Sequence, residues 1–174
     1  MRRIKLLIII ILLGLQVSVS CQEMYRNSDP RFSINIPSGW TIKKPSGPNV
    51  KLLFVHPSGS NVNIVTFRDP SYKSFQSYDL TEAELSRDLI QLIDYRTIEF
   101  SKTLINARKA VLLKSEYTYQ NLNQKAEITS LLFVLIHQDV IYYITCATGA
   151  SIFPEFEEVF IGIVKSFKIE EDFH

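Results

Sequence analysis

Apolar and polar residues alternate in short runs between residues 32 and 67, and turn sequences separate the runs. Phe32-Ser33-Ile34-Asn35-Ile36 has the two-residue period of a half-buried strand, and Pro37-Ser38-Gly39 after it is a turn sequence. Similar runs cover residues 40–43, 50–56 and 62–67, with Pro, Ser and Gly between them. The pattern predicts an antiparallel meander of short strands.

A helix is predicted after residue 80 because its start carries a complete set of N-terminal signals. Thr81 and Glu84 have the spacing of a capping box, and Leu80 and Leu85 have the spacing of a hydrophobic staple. The apolar residues on one helical face are Leu85, Leu89, Leu92 and Ile93. We therefore predict a helix over residues 81–96 that buries Leu85, Leu89 and Leu92 against a sheet.

Three longer strands are predicted in the second half of the chain. They span residues 110–119, 126–137 and 140–148, with turns at Asn121-Leu122-Asn123 and Gln138-Asp139. Residues 131–136 are apolar without interruption, which indicates a strand that is buried on both faces. We therefore expect helices on both sides of the sheet.

A second amphipathic helix is predicted over residues 154–166, followed by a short strand at 166–169. Glu155, Glu157 and Glu158 lie in its first turn, where the helix dipole favours negative charge. Phe160 belongs to its apolar face and should be buried. Together these elements predict an α+β fold with a mainly antiparallel sheet flanked by helices.

The first twenty residues have the organisation of a secretory signal peptide. Three basic residues precede an apolar run at residues 6–15, which is half the roughly 20 residues that a membrane-spanning helix requires. Small side chains at Ser18 and Ser20 fit a signal peptidase. We predict residues 1–20 as a cleaved signal peptide and residues 21–174 as a single domain; an uncleaved anchor is the alternative.

Ser18-Val19-Ser20-Cys21 resembles the lipobox of bacterial lipoproteins, with Ser18 where leucine is usual. In that family the cysteine is acylated and becomes the mature N-terminus, so the resemblance implies that Cys21 anchors the protein in the membrane. The alternative is ordinary cleavage that leaves Cys21 as a plain thiol in a secreted or periplasmic soluble protein. Lipidation would leave Cys146 without a partner, and its apolar strand predicts a buried, inert thiol. A Cys21–Cys146 disulfide can form only if Cys21 is not lipidated.

Composition and charge exclude several classes of protein. Hydrophobic residues make up 46% and charged residues 21% of the chain, which is ordinary for a globular domain and excludes wholesale disorder. Removal of residues 1–20 takes away three basic residues and changes the net charge from +1 to −2. A mildly acidic domain is poorly suited to bind the negatively charged phosphate backbone of DNA or RNA, so we expect no nucleic-acid partner.

Several segments, in the same order, resemble the PsbP-like superfamily. Residues 32–40 combine a strand with Pro37, Gly39 and Trp40, and Phe153-Pro154-Glu155-Phe156-Glu157 opens a helix that closes at Ser166-Phe167. The superfamily contains photosystem accessory proteins, Ran-GTPase-binding Mog proteins and bacterial lipoproteins of the DcrB type. The resemblance implies an α/β/α sandwich over most of residues 24–169. It implies no particular activity, because the functions of these proteins differ.

Catalytic and metal-binding motifs are missing from the sequence. It has no G-x-S-x-G elbow, no Gly-rich phosphate loop and no H-E-x-x-H motif. His56 and His137 are predicted at strand ends on the surface, without a positioned partner. The three glutamates of the second helix lack the alternating ligand spacing of a calcium loop. We therefore predict no catalytic residue, no metal site, no cofactor and no enzymatic activity.

Aromatic residues form the candidate binding surface. Tyr72, Phe75 and Tyr78 lie in the loop before the first predicted helix, and Tyr117 and Tyr119 lie on a later strand. Packing of that loop onto the domain is the structural alternative. We predict an exported, lipid-anchored, non-catalytic binding or accessory module of the bacterial cell envelope, periplasmic or surface-facing, that docks a protein partner. A small-molecule carrier or an enzyme with a pocket between sheet and helix is the alternative.

Overall fold

The computed structural model describes residues 23–170, which form ten strands and two α-helices. The strands are β1 (Glu23–Ser28), β2 (Arg31–Ile36), β3 (Thr41–Lys43), β4 (Val50–Val55), β5 (Asn61–Arg68), β6 (Ile93–Ile105), β7 (Arg108–Gln120), β8 (Lys125–His137), β9 (Val140–Gly149) and β10 (Lys168–Ile169). The helices are α1 (Glu82–Ser86) and α2 (Phe153–Ser166). The predicted signal peptide, Cys21 and the last four residues lie outside the described residues.

The strands form two antiparallel sheets. The larger sheet has the order β3-β4-β5-β9-β8-β7-β6, and the smaller has the order β1-β2-β10. The β8–β9 register runs from Ile128 opposite Gly149 to His137 opposite Val140, so the two strands are joined by the predicted turn at Gln138-Asp139. The predicted mainly antiparallel sheet is confirmed.

One face of the larger sheet is covered by α2 and the smaller sheet. Phe32 of β2 and Phe160 of α2 are both fully buried there, with Phe167 beside them. The ring centroids of Phe32 and Phe167 are 5.3 Å apart. Trp40 packs under α2, with its ring 6.2 Å from that of Phe160.

The other face of the larger sheet is covered by short helical turns between residues 70 and 91. Val111, Val134 and Ile141 form a small buried cluster on this face. The residues that pack on the cluster from the helical turns are Tyr72, Tyr78, Leu80 and Leu85. The continuous apolar run of β8 therefore does mark a strand that is covered on both faces.

The predicted first helix is correct at its start and wrong in its length. The Thr81 hydroxyl accepts the Glu84 backbone N–H at 3.3 Å, and the Glu84 carboxylate accepts the Thr81 N–H at 2.8 Å. These bonds complete the capping box, but α1 ends at Ser86. A 3₁₀ turn at Leu89–Gln91 follows, and the chain then enters β6.

The sequence pattern misses β6, and the burial predicted for the three leucines is wrong. Leu85 and Leu89 are only half-buried, and Leu92 is 37% exposed. The segment after them contains Ile93, Tyr95, Thr97 and Ile98, which are β-branched or aromatic and favour a strand. Pairing of ten of its thirteen residues with β7 supplies backbone hydrogen bonds that override the helical spacing. The predicted burial of Phe160 is confirmed, since its exposed fraction is zero.

Candidate functional site

Strand β6 forms one edge of the larger sheet. Among residues 23–170 its only strand neighbour is β7. The pairing is interrupted between Ile93 and Arg96 and between Thr97 and Glu99, but it is continuous over residues 99–105. An edge strand directs alternate N–H and C=O groups away from its sheet. The regular part of β6 therefore offers a row of backbone groups to which a further strand can bind.

Large apolar side chains are exposed along and just before this strand. The exposed residues are Ile90, Leu92, Ile93, Ile98 and Leu104. Leu104, on the regular part, is 59% exposed. Monomeric proteins usually protect an edge of this kind with charge, proline or a covering loop, and residues 99–105 carry two charged side chains, Glu99 and Lys102. We call residues 99–105 together with these five side chains the β6 edge, and it is the candidate protein-binding surface.

Three of the predicted binding aromatics lie near the hairpin end of β6. Tyr72 and Phe75 have ring centroids 6.1 Å apart and nearly perpendicular rings. The Tyr78 hydroxyl donates to the backbone carbonyl of Thr103 in β6 at 2.9 Å. Tyr72 and Tyr78 are half-buried against the sheet, as the loop-packing alternative predicts, whereas Phe75 is 48% exposed.

The other two predicted aromatics lie far from this group on the same face of the sheet. Strand β7 pairs regularly with β8, so Val111, Tyr117 and Tyr119 point to one side. Lys109, which contacts the Tyr78 ring, is eight residues from Tyr117, or about 26 Å along a strand. The structure does not bring the five residues into one patch. Their binding role stays a prediction.

The two histidines occupy separate environments. The His56 ring lies 5.4 Å from that of Trp40 and 5.1 Å from that of Phe156, so this residue is more buried than the sequence suggests. His137 accepts a hydrogen bond at Nδ1 from the Arg108 guanidinium at 3.2 Å. The His56 Nδ1 atom lies 2.9 Å from the Ser58 hydroxyl, so the prediction that neither histidine has a positioned partner is wrong. The two residues belong to separate sets of contacts.

The acidic residues of residues 23–170 form no metal site, and the helices of this part of the chain do not span a membrane. Within this part of the chain no group of three or more His, Cys, Asp or Glu side chains could hold a metal ion. The Glu157 carboxylate of α2 instead accepts from Lys114 of β7 at 2.8 Å. No described helix has the length and hydropathy of a membrane span.

Cys146 is fully buried in β9, and burial raises the pKa of its thiol. We expect iodoacetamide to label Cys146 slowly in the folded chain, because only the thiolate reacts and both access and ionisation are lost on burial. The measurement uses a Cys21→Ser chain, in which Cys146 is the only cysteine. Unfolding in urea should restore rapid labelling. Equal labelling rates with and without urea would contradict the buried position.

The larger, seven-stranded antiparallel sheet carries the smaller sheet and α2 on one face and short helical turns on the other. This arrangement is the PsbP-like α+β fold. The model of the PsbP family matches residues 21–169. The chain belongs to the PsbP family. A comparison with curated protein sequences finds no match.

Solved structures share this fold at low sequence identity. Cyanobacterial PsbP (CyanoP) from Synechocystis sp. PCC 6803 has a TM-score of 0.61 and 13% identity, over 89% of this chain and 96% of CyanoP. LpqN of Mycobacterium tuberculosis has a TM-score of 0.58 and 11% identity, over 87% and 91%. The Ran-binding protein Mog1p of Saccharomyces cerevisiae has a TM-score of 0.59 and 4% identity, over 86% and 96%. At these identities the similarity is one of fold.

Proposed function

We propose that this protein is an exported, lipid-anchored accessory module of the bacterial cell envelope that binds a protein partner through the β6 edge and catalyses no reaction. The observation that carries the proposal is the regular edge at residues 99–105 with exposed apolar side chains beside it. An extended segment of a partner gains main-chain hydrogen bonds by pairing with such an edge, and the side chains beside it supply specificity.

The envelope location is supported by the N-terminal sequence and by the proteins that share the fold. Residues 1–20 have signal-peptide organisation, and Cys21 ends a lipobox-like sequence. LpqN is described as involved in cell envelope biogenesis. Mog1p is described as a Ran-binding protein, so one protein with this fold binds another protein.

Anchoring through Cys21 would hold the domain close to the bilayer. Strand β1 begins at Glu23, two residues after Cys21. A chain rises at most about 3.3 Å per residue, so the acylated residue would lie no more than roughly 7 Å from the start of the sheet. Glu23 pairs with Ile36, and this end of the β1–β2 hairpin would face the membrane.

The carrier or enzyme alternative requires a pocket between sheet and helix. That interface is filled by the side chains of α2 that point toward the sheet, which are Phe153, Phe160, Ile163 and Val164, all buried. A cavity of about 300 Å³ lies beside α2, lined in part by Asn35, Glu158 and Ser166. This cavity is the feature that favours the alternative, and it borders the packed interface at Ile163.

Site-specific photo-crosslinking in native membranes tests partner binding at the β6 edge. A photoreactive side chain at Ile98, which is 46% exposed, should give one discrete crosslinked product. Leu104→Lys should abolish that product, because a charge beside the regular edge opposes strand addition. Ile42 is 43% exposed on β3, the opposite edge of the same sheet, so Ile42→Lys serves as the matched control and should leave the product unchanged. Equal yields from both lysine variants would contradict the proposal.

A further inference from the structure

A cavity of about 590 Å³ lies between the ends of the two sheets. It is formed by the β1–β2 turn, the end of β5, the β8–β9 turn and the end of β10. Its polar lining includes Ser28, Asp29, Arg31, Arg68, His137 and Glu170. Its volume falls within the range of small-molecule sites, which is about 300–1,000 Å³.

Tyr142 of β9 lines this cavity and is 2% exposed. Its ring is fixed between the sheets by Phe32 and Phe167, at centroid distances of 6.4 and 5.6 Å. No hydrogen bond joins its hydroxyl to another residue of the described part of the chain, and its oxygen is not among the enclosed atoms that lack a partner, so it opens onto the cavity. A phenol hydroxyl can donate one hydrogen bond and accept others. The cavity is where a partner for this hydroxyl can be bound.

The hydroxyl of Tyr142 is a donor that lines the same cavity as the Arg68 guanidinium. Burial raises the pKa of Tyr142 to about 12, so the hydroxyl keeps its proton at physiological pH. The guanidinium groups of Arg68 and Arg108 act on this hydroxyl more strongly than the carboxylates of Asp139 and Asp29. A phenol that donates next to guanidinium groups favours a negatively charged oxygen as its partner.

The carboxylates around the cavity are already paired with cations. Arg68 donates to Asp139 at 3.0 Å and to Asp29 at 3.2 Å, and Glu170 lies 3.8 Å from Arg26. A guanidinium has five N–H donors, and these two bonds of Arg68 leave others for a ligand. Arg68 therefore reaches the cavity with its guanidinium between two acidic residues, and its side chain is 55% exposed.

We propose that this cavity binds a small molecule with a carboxylate or phosphate group, whose oxygens accept hydrogen bonds from the Tyr142 hydroxyl and the Arg68 guanidinium. Arginine suits both groups because its planar N–H donors match two oxygens at once. A phenol adds a short, charge-assisted hydrogen bond to the same ligand.

The position of the cavity favours a soluble ligand over a lipid headgroup, and this step alone rests on the proposed anchoring through Cys21. The β1–β2 hairpin pairs Glu23 with Ile36 at one end and Ser28 with Arg31 at the other. The five residue steps between them correspond to about 17 Å. The cavity lies at the Ser28 end, away from Cys21. A headgroup of the anchoring membrane would therefore be out of reach.

Calorimetric titration of the detergent-purified full chain with inorganic phosphate, glycerol 3-phosphate and citrate tests the proposal. At least one of these anions should bind saturably, and Tyr142→Phe should weaken it roughly 10- to 100-fold, the range for one hydrogen bond to a charged group. Tyr143 lies next in the same strand and packs on the opposite face of the sheet. Tyr143→Phe is therefore the matched control and should leave the affinity unchanged.

A second pair of variants tests the charge. Arg68→Gln should weaken binding by at least 10-fold, whereas Arg96→Gln, which removes an exposed arginine paired with Glu116, should not.

Saturable binding of none of the three anions, or equal losses in Tyr142→Phe and Tyr143→Phe, would overturn the proposal. Binding only to vesicles that contain phosphatidylglycerol, and to no soluble anion, would overturn the soluble source. None of these titrations depends on lipidation or on the β6 edge, so they fail independently of the proposed function.

Discussion

Phe160→Ala should lower the free energy of unfolding by about 3–5 kcal/mol, the usual cost of truncating a buried phenylalanine. Phe160 is fully buried where α2 meets the larger sheet. Its ring lies 5.9 Å from that of Phe156, 6.2 Å from that of Trp40 and 6.3 Å from that of Phe153. The substitution leaves a cavity among these rings.

Urea unfolding followed by tryptophan fluorescence measures this effect, because Trp40 is the only tryptophan and contacts Phe160. Leu92→Ala is the matched control. Leu92 is 37% exposed and lies in the segment where a helix was expected, so its loss should cost about 1 kcal/mol or less. Equal losses in the two variants would contradict the observed end of α1 and the position of α2.

Cys21→Ser should abolish the acylated, cleaved form of the protein. Acylation requires the cysteine sulfur, and serine offers only a hydroxyl at the same position. Intact-mass analysis of the membrane-extracted protein should find a mature chain that begins at an acylated Cys21. In the variant that species should be missing, and the chain that retains residues 1–20 should accumulate.

Cys146→Ala provides the control for this experiment, because Cys146 is buried in β9 and lies outside the lipobox-like sequence. The acylated form should persist in that variant. Native protein that begins at an unmodified Cys21 would establish ordinary signal-peptidase cleavage instead. Native protein that keeps residues 1–20 would establish an uncleaved anchor. Either result would contradict lipid anchoring.

The sequence by itself determines those elements that depend on interactions between residues close together in the chain. The capping box at Thr81 forms because both partners are three residues apart. The turn at Gln138-Asp139 and the length of α2 follow in the same way from turn residues and an amphipathic repeat. The coverage of β8 on both faces was also predictable, because a strand in contact with water alternates apolar and polar residues.

Tertiary structure alone decides the fate of the segment after Ser86. Its leucines repeat with helical spacing, yet the residues from Ile93 onward pair with β7, because long-range hydrogen bonds and cross-strand contacts outweigh a weak helical preference. The sequence also does not show that Tyr78 and Tyr117 lie far apart, because that distance depends on where the segment that contains Tyr78 packs on the sheet. It does not show either that Tyr142 and Arg68 line the same cavity. Local preference acts over a few residues, whereas the β6 edge and the cavity arise from strands far apart in the chain.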